Sequence, residues 1–162
     1  MRVQLVTVMG LIASAGLATA THAQTLHQKQ VMTEQQQKLD MTVTGPQTVN
    51  GSCGTNVTAK FDWPSFVSAD ALEKSVPGTG GPAAWCARPL DAIARMCGPD
   101  AGTGRAANRA AISAKIKGYV CSYASGQPQS LDLDPSGTLT YRGDYTATGS
   151  EPFVTRWLGD HL

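Results

Sequence analysis

The residues of this chain whose type and spacing point to a chemistry are its four cysteines, Cys53, Cys86, Cys97 and Cys121. An even number of cysteines favours disulfide bonds in a protein that reaches an oxidising compartment. Metal ligation is the alternative, but the spacings of 33, 11 and 24 residues include no C-x-x-C pair. Histidine, the other common zinc ligand, is scarce, since beyond residue 23 the chain has only His27 and His161. We therefore assign all four cysteines to two disulfides, and no residue to a metal or cofactor.

The pairing of these cysteines depends on the segment 85–97, which carries two of them. Cys86 and Cys97 recur with two apolar residues at helical spacing, so they line one side of a predicted helix. Such a helix holds their Cα atoms about 16 Å apart, beyond the limit of about 7 Å for a disulfide. Two pairings remain, which loop-closure entropy separates by roughly a few tenths of a kcal/mol. We predict Cys53–Cys86 and Cys97–Cys121, with the crossed pairing Cys53–Cys97 and Cys86–Cys121 as the alternative.

Catalysis by a nucleophile requires a base that activates it, and the sequence offers no such arrangement. It contains no G-x-S-x-G stretch, and its two histidines beyond residue 23 stand near the ends of the remaining chain. The remaining candidate chemistry is acid–base hydrolysis by a pair of carboxylates. The candidates are Asp62 and Asp144, which both stand near aromatic residues in the sequence. Solvated aspartates at strand ends are the simpler interpretation. We assign no catalytic residue and keep a small envelope hydrolase as the alternative function.

Charged residues are unevenly distributed along the chain. Beyond residue 23 there are 12 basic and 12 acidic residues, which does not match the strongly basic balance of a non-specific nucleic-acid binder. Residues 88–130 carry a net charge of +4 and residues 131–162 a net charge of −3. Arg105 and Arg109 stand four residues apart on a predicted helix, and an arginine fork pairs well with carboxylates. We predict that these two residues contact an acidic protein partner; a mixed solvated surface is the alternative.

The first 23 residues have the three parts of a secretory signal. Arg2 precedes an apolar run from Leu5 to Leu17, and the small-residue stretch ATATHA predicts cleavage after Ala23. The apolar run is shorter than the roughly 20 residues of a membrane span, and no later segment approaches that length. We expect a soluble protein, periplasmic or secreted.

Two regions follow this leader. Residues 24–48 are rich in glutamine and lack a continuous apolar stripe, which predicts a polar arm or linker. Residues 49–162 are expected to form a single disulfide-stapled domain. Pro89 breaks a helix interior, so the central helix is predicted to begin near Arg88, and Thr103 is expected to cap the next one. The predicted helices are 69–75, 88–96, 105–115 and 150–159.

Alternating apolar and polar residues predict strands over 56–63 and within 116–145. DPSG at 134–137 predicts a turn rather than a calcium loop, since Gly143 stands where that loop needs a glutamate. The expected fold class is α+β, a small antiparallel sheet (a C-terminal meander) packed with three to four short helices and two disulfides. With no catalytic motif, this fold predicts an exported binding or inhibitory protein.

Overall fold

The computed structural model describes residues 25–68, 71–72, 81–144 and 150–162. The predicted leader 1–23 with its cleavage point, and all but two residues of the predicted helix 69–75, lie outside these ranges. A 3₁₀ helix, Pro99–Gly104, joins the fourth and fifth α-helices. The α-helices of the described residues are Leu26–Val43 (α1), Val49–Cys53 (α2), Trp63–Ser68 (α3), Gly81–Cys97 (α4), Arg105–Lys115 (α5) and Ser150–His161 (α6). The strands are Thr58–Phe61 (β1), Gly118–Tyr123 (β2), Ser130–Leu133 (β3) and Thr138–Gly143 (β4).

The four strands form one mixed sheet in the order β1-β2-β4-β3. β1 and β4 each pair in parallel with β2, while β3 and β4 are antiparallel. The α+β class and the two disulfides are therefore confirmed, whereas the prediction of an antiparallel meander is wrong for β2. An alternating pattern identifies a strand and its buried face, but it does not specify the direction of the neighbouring strand. The chain leaves β2, forms β3 at the outside and returns between the two as β4.

One face of the sheet is covered and carries the apolar residues that the alternation predicts. Tyr119 of β2 and Leu139 and Tyr141 of β4 are buried on this face. α4 packs there, with the ring centroid of Trp85 4.6 Å from that of Tyr141. The opposite face of the described sheet is polar and mostly exposed or half-buried, with side chains from Thr58, Lys60, Val120, Ser130, Asp132, Thr138, Thr140 and Arg142.

α1 corrects the prediction of a polar arm over 24–48. Most of this segment is a helix of 18 residues whose Leu39 and Val43 belong to the hydrophobic core. Its glutamines supply contacts that an apolar stripe would otherwise make. The buried Gln35 carboxamide accepts a 2.9 Å hydrogen bond from the backbone N–H of Ala83, in the first turn of α4. Such a contact satisfies a helix N-terminus from 48 residues away, so composition alone does not reveal it.

The outer edge of β1 is closed by two further carboxamides. Gln36 of α1 donates to the Ala59 carbonyl at 2.9 Å and accepts from the Phe61 N–H at 3.4 Å. Asn50 of α2 donates to the Val57 carbonyl at 3.0 Å and accepts from the Val57 N–H at 2.8 Å. These bonds replace those of a neighbouring strand, so this edge is protected against further strand addition.

α4 begins at Gly81 rather than near Arg88, and Pro89 lies in its interior. Proline lacks a backbone N–H and disturbs the carbonyls of the preceding helical turn. In that turn the Cys86 carbonyl accepts a 2.7 Å hydrogen bond from the buried Tyr119 hydroxyl. The helix therefore continues through the proline because tertiary contacts support it, and a pattern of residue types near a proline does not show such support.

Both disulfides hold α4, in the crossed pairing. Cys97 at the end of α4 bonds Cys53 of α2 with the Cα atoms 5.0 Å apart. Cys86 in the first half of α4 bonds Cys121 of β2 with the Cα atoms 5.7 Å apart. The predicted pairing Cys53–Cys86 and Cys97–Cys121 is thus wrong. The longer α4 explains this result, because its first half crosses the sheet while its end reaches α2.

Two further helices and the turn agree with their sequence patterns. The helices predicted over 105–115 and 150–159 are confirmed as α5 and α6. The N-cap of α5 is Gly104 without a side-chain bond, so Thr103 is not its cap. At the turn between β3 and β4, hydrogen bonds from the Ser136 hydroxyl and the Thr138 N–H lower the pKa of Asp134. No helix of the described ranges is both long enough and apolar enough to span a bilayer.

Candidate functional site

A groove of about 420 Å³ lies where α2, the end of α4 and the start of α5 meet. The Cys53–Cys97 disulfide joins α2 to α4 beside it, so these walls are covalently linked. We name this feature the Arg105 groove. The charged residues that line it are Asp91, Arg95, Asp100 and Arg105.

Arg105 is exposed, yet its side chain is held in place. Its Nε donates a 3.0 Å hydrogen bond to the backbone carbonyl of Cys97, the last residue of α4. The preceding carbonyl, that of Met96, accepts a 3.0 Å bond from the Asn108 side chain. The final carbonyls of a helix lack partners within the helix and form its negative end, which favours a cation there. The bond to Cys97 therefore fixes the guanidinium next to a disulfide-linked residue.

The two terminal nitrogens of Arg105 have no hydrogen-bond or ion-pair partner within the described ranges. A guanidinium anchored through Nε keeps these two donors, which match the two oxygens of a carboxylate. Arg105 is consequently oriented before any partner arrives.

Arg109 lies one helical turn beyond Arg105 but in a different environment. It is half-buried and packs against Gly54, the residue that ends α2 with a φ of +71°. A Cβ atom at Gly54 would lie 3.4 Å from the Arg109 Nη2, so the glycine also leaves space for this guanidinium. Each predicted arginine thus lies beside the C-terminal end of a different helix, and Arg105 alone of the two lines the groove.

Within the described ranges, neither arginine forms an ion pair with an acidic side chain of the C-terminal third. An ion pair within the described ranges joins Lys38 to Glu34, on consecutive turns of α1.

Sequence reasoning missed Arg95, which lies in the last turn of α4 and shares the groove with Arg105. The two arginines stand ten residues apart, and the 3₁₀ helix Pro99–Gly104 carries the chain from one to the other. Gly98 and Pro99 mark a helix end in the sequence. This helix end was the sequence signal that the basic residues on either side of it, Arg95 and Arg105, lie near one helix junction.

The candidate carboxylates Asp62 and Asp144 are not brought together. Asp62 follows β1 and accepts a 3.0 Å hydrogen bond from the hydroxyl of Ser122. Asp144 follows β4 and accepts a 3.2 Å bond from the hydroxyl of Tyr123. Ser122 and Tyr123 are consecutive in β2, so their side chains point to opposite faces of the sheet. The two carboxyl groups therefore contact opposite sides of the same strand.

Asp144 is buried, and the hydrogen bonds that its carboxylate accepts give it a structural role. Besides the Tyr123 hydroxyl, its carboxylate accepts a 2.6 Å hydrogen bond from the backbone N–H of Gly126, in the turn that follows β2. Burial, together with the Asp144 carboxylate, raises the pKa of Tyr123. A buried carboxylate needs such donors. Asp144 thus ties the end of β4 to the turn after β2.

No cluster of three or more histidine, cysteine or acidic side chains in the described ranges has the arrangement of a metal site. Comparison of the chain with protein-family models, with curated proteins and with solved structures finds no match.

Proposed function

We propose that this chain is an exported binding protein that recognises an acidic segment of a partner protein through the Arg105 groove. The observation that carries the proposal is the hydrogen bond from the Arg105 Nε to the carbonyl of the disulfide-linked Cys97. It holds an exposed arginine in one orientation without occupying the two terminal nitrogens that bind a carboxylate.

Preorganisation is the physical reason to expect recognition here. A flexible arginine loses rotamer freedom when it binds, at roughly 0.5–1.5 kcal/mol for such a side chain. Arg105 has already lost part of that freedom in the unbound protein. The groove of about 420 Å³ also lies within the size range of binding sites, which is roughly 300–1,000 Å³.

The acidic character of the partner follows from the groove's chemistry. Arg95 joins Arg105 in its lining, and arginine is enriched at protein interfaces because it binds carboxylates and still packs. Asp91 and Asp100 in the same lining restrict the position of the bound carboxylate, since they repel one placed beside them. Arg109, half-buried behind Gly54, supports this surface by adding positive potential.

Catalysis by Asp62 and Asp144 receives no support, because their hydrogen-bond partners project from opposite faces of β2. Export is supported by the leader-like residues 1–23 and by the two disulfides, which persist in oxidising compartments. A periplasmic or secreted protein partner fits both features.

Charge reversal at Arg105 tests the proposal. Arg156 provides a matched control, since it is an exposed arginine on α6, outside the groove. The purified wild type, Arg105→Glu and Arg156→Glu are immobilised and exposed to proteins of the exporting compartment, and captured proteins are then assayed individually. We expect an acidic protein bound by the wild type and Arg156→Glu, with association at least about tenfold slower for Arg105→Glu.

Circular dichroism melting of the three proteins shows whether the fold is retained. The proposal fails if the partner binds folded Arg105→Glu as it binds the wild type, or if the bound segment carries no acidic residue.

A further inference from the structure

The two edges of the sheet differ in how their backbone groups are satisfied. The β1 edge is closed by the Gln36 and Asn50 carboxamides. At the β3 edge, the Asp134 N–H donates to the Thr138 carbonyl at 3.1 Å, which makes these residues a hydrogen-bonded pair. Bonded and non-bonded pairs alternate along an antiparallel ladder. Leu131 and Leu133 therefore direct their N–H and carbonyl groups away from β4.

These four outward groups of β3 have no hydrogen-bond partner within the described ranges. We propose that the β3 edge is a self-association site, at which a second copy of this chain adds its own β3 antiparallel around a two-fold axis. The result is a continuous sheet of eight strands, four from each copy, and its symmetry is that of the commonest protein dimers.

The side chains of β3 select one register of this pairing. An axis at Asp132 places two aspartates directly opposite each other, and an axis at Leu133 places Asp132 opposite Asp134 twice. Like charges directly opposite destabilise a strand pair. An axis at Leu131 instead places Ser130 opposite Asp132 of the second copy, and a hydroxyl can donate to a carboxylate. Of these three registers, the one centred on Leu131 is therefore favoured.

Charge complementarity supports the same register. Arg142 of β4 lies beside Ser130 in the sheet, on the polar face and exposed. Strands lie about 4.8 Å apart, so Arg142 is about 10 Å from the backbone of Asp132 in the second copy. The extended side chain of Arg142 and the side chain of Asp132 together span that distance, because the Ser130 side chain between them is small. Neither Arg142 nor Asp132 forms an ion pair within one described chain, and the dimer provides two such pairs by symmetry.

Overall charge does not oppose this association. The chain has a formal net charge of +1, and a net charge near zero removes the long-range repulsion that keeps many proteins monomeric. The proposed site lies on the sheet edge, whereas the Arg105 groove is formed by α2, α4 and α5, so either proposal can fail without the other.

Sedimentation equilibrium of the purified protein, from about 1 µM to about 1 mM, measures the self-association. We expect a monomer–dimer equilibrium. Amide hydrogen exchange adds a readout of the backbone contact: the amides of Leu131 and Leu133 should exchange freely in dilute protein and become protected as the concentration rises.

A charge swap tests the register. Asp132→Arg and Arg142→Glu should each lower the dimer association constant by about tenfold, because each leaves like charges facing across the axis. The double variant should recover it. Lys60→Glu, on the same polar face but on β1, should leave it unchanged, and unfolding curves confirm that every variant folds.

A protein that stays monomeric throughout the concentration range overturns the proposal, as does a dimer in which the double variant shows no recovery. An extended segment of another protein protecting Leu131 in place of a second copy also overturns it.

Discussion

Two buried tyrosines on neighbouring strands differ in what their hydroxyl groups contact. The Tyr119 hydroxyl donates to the Cys86 carbonyl at 2.7 Å. The Tyr141 hydroxyl is buried without a hydrogen-bond partner in the described part of the chain. Burial raises the pKa of both phenols. The same residue type on the same face of one sheet is therefore expected to contribute differently to stability at the two positions.

Removing the two hydroxyls should separate these roles. Tyr119→Phe removes the hydroxyl that donates to the Cys86 carbonyl, and we expect the free energy of unfolding to fall by about 0.5–1.5 kcal/mol. Tyr141→Phe removes an unsatisfied buried group, so its stability should be unchanged or higher. Urea unfolding of both variants provides the measurement, and equal losses would contradict this assignment.

At this scale, the sequence predicts which element a residue belongs to better than it predicts what that residue contacts. The spacing of Arg105 and Arg109 correctly indicates one helix, α5. It does not show that Arg105 bonds the carbonyl of Cys97 whereas Arg109 packs on Gly54, because both contacts depend on where α2 and α4 end. The separation of Asp62 from Asp144 likewise depends on their bonds to Ser122 and Tyr123, which project from opposite faces of β2, and such tertiary contacts are not visible in residue types.

At the scale of elements, α1 is stabilised by carboxamides in place of a strong apolar stripe. Gln36 bonds the β1 backbone and also donates to Asp40 at 2.8 Å. Its neighbour Gln37 is exposed. Gln36→Ala should lower the free energy of unfolding by about 1–2 kcal/mol, and Gln37→Ala, with the same change in helix propensity, should stay within about 0.5 kcal/mol of the wild type. If thermal and urea unfolding show the two variants alike, the edge-closing role is wrong.

α5, α6 and the strands were predictable because local patterns specify them. α6 repeats apolar residues at helical spacing, and β4 alternates Leu139 and Tyr141 with polar residues. α1 and the first turns of α4 were not, because Gln35 links them across 48 residues and Gly81, with a φ of +66°, lies directly against that glutamine. Helices held mainly by distant contacts carry a weak local signal.

Each disulfide should fix one part of α4, Cys86 its first half and Cys97 its end. Peptide mapping without reduction is expected to recover Cys53 linked to Cys97 and Cys86 linked to Cys121. Replacing either pair by alanine should lower the free energy of unfolding by about 4 kcal/mol, the chain-entropy value for loops of this length. A Cys53–Cys86 peptide from the folded protein would contradict the fold, since it requires α2 to lie beside the first half of α4.

At the scale of the whole molecule, the topology determines where the Arg105 groove and the two sheet edges lie. Crossed disulfides attach α4 to the sheet at Cys86 and to α2 at Cys97, so the end of α4 is fixed where α5 begins. The order β1-β2-β4-β3 places at one edge β1, which side-chain carboxamides close. At the other edge lies β3, whose outward backbone groups at Leu131 and Leu133 have no hydrogen-bond partner within the described ranges. The sequence left the crossed disulfides as one of two possible pairings and did not predict the strand order, because both arise from pairings between segments far apart in the chain.

Recognition of acidic segments by the Arg105 groove is tested most directly by a nuclear magnetic resonance titration. The ¹⁵N-labelled protein is titrated at low ionic strength with a short glutamate-rich peptide. A second titration uses a lysine-rich peptide of equal length. We expect saturable shifts from the glutamate peptide at the amides of Gly51, Ser52, Gly98 and Arg105, absent in Arg105→Glu and retained in Arg156→Glu. Shifts centred on the sheet, an equal response to the lysine peptide, or no saturable shift would contradict the account.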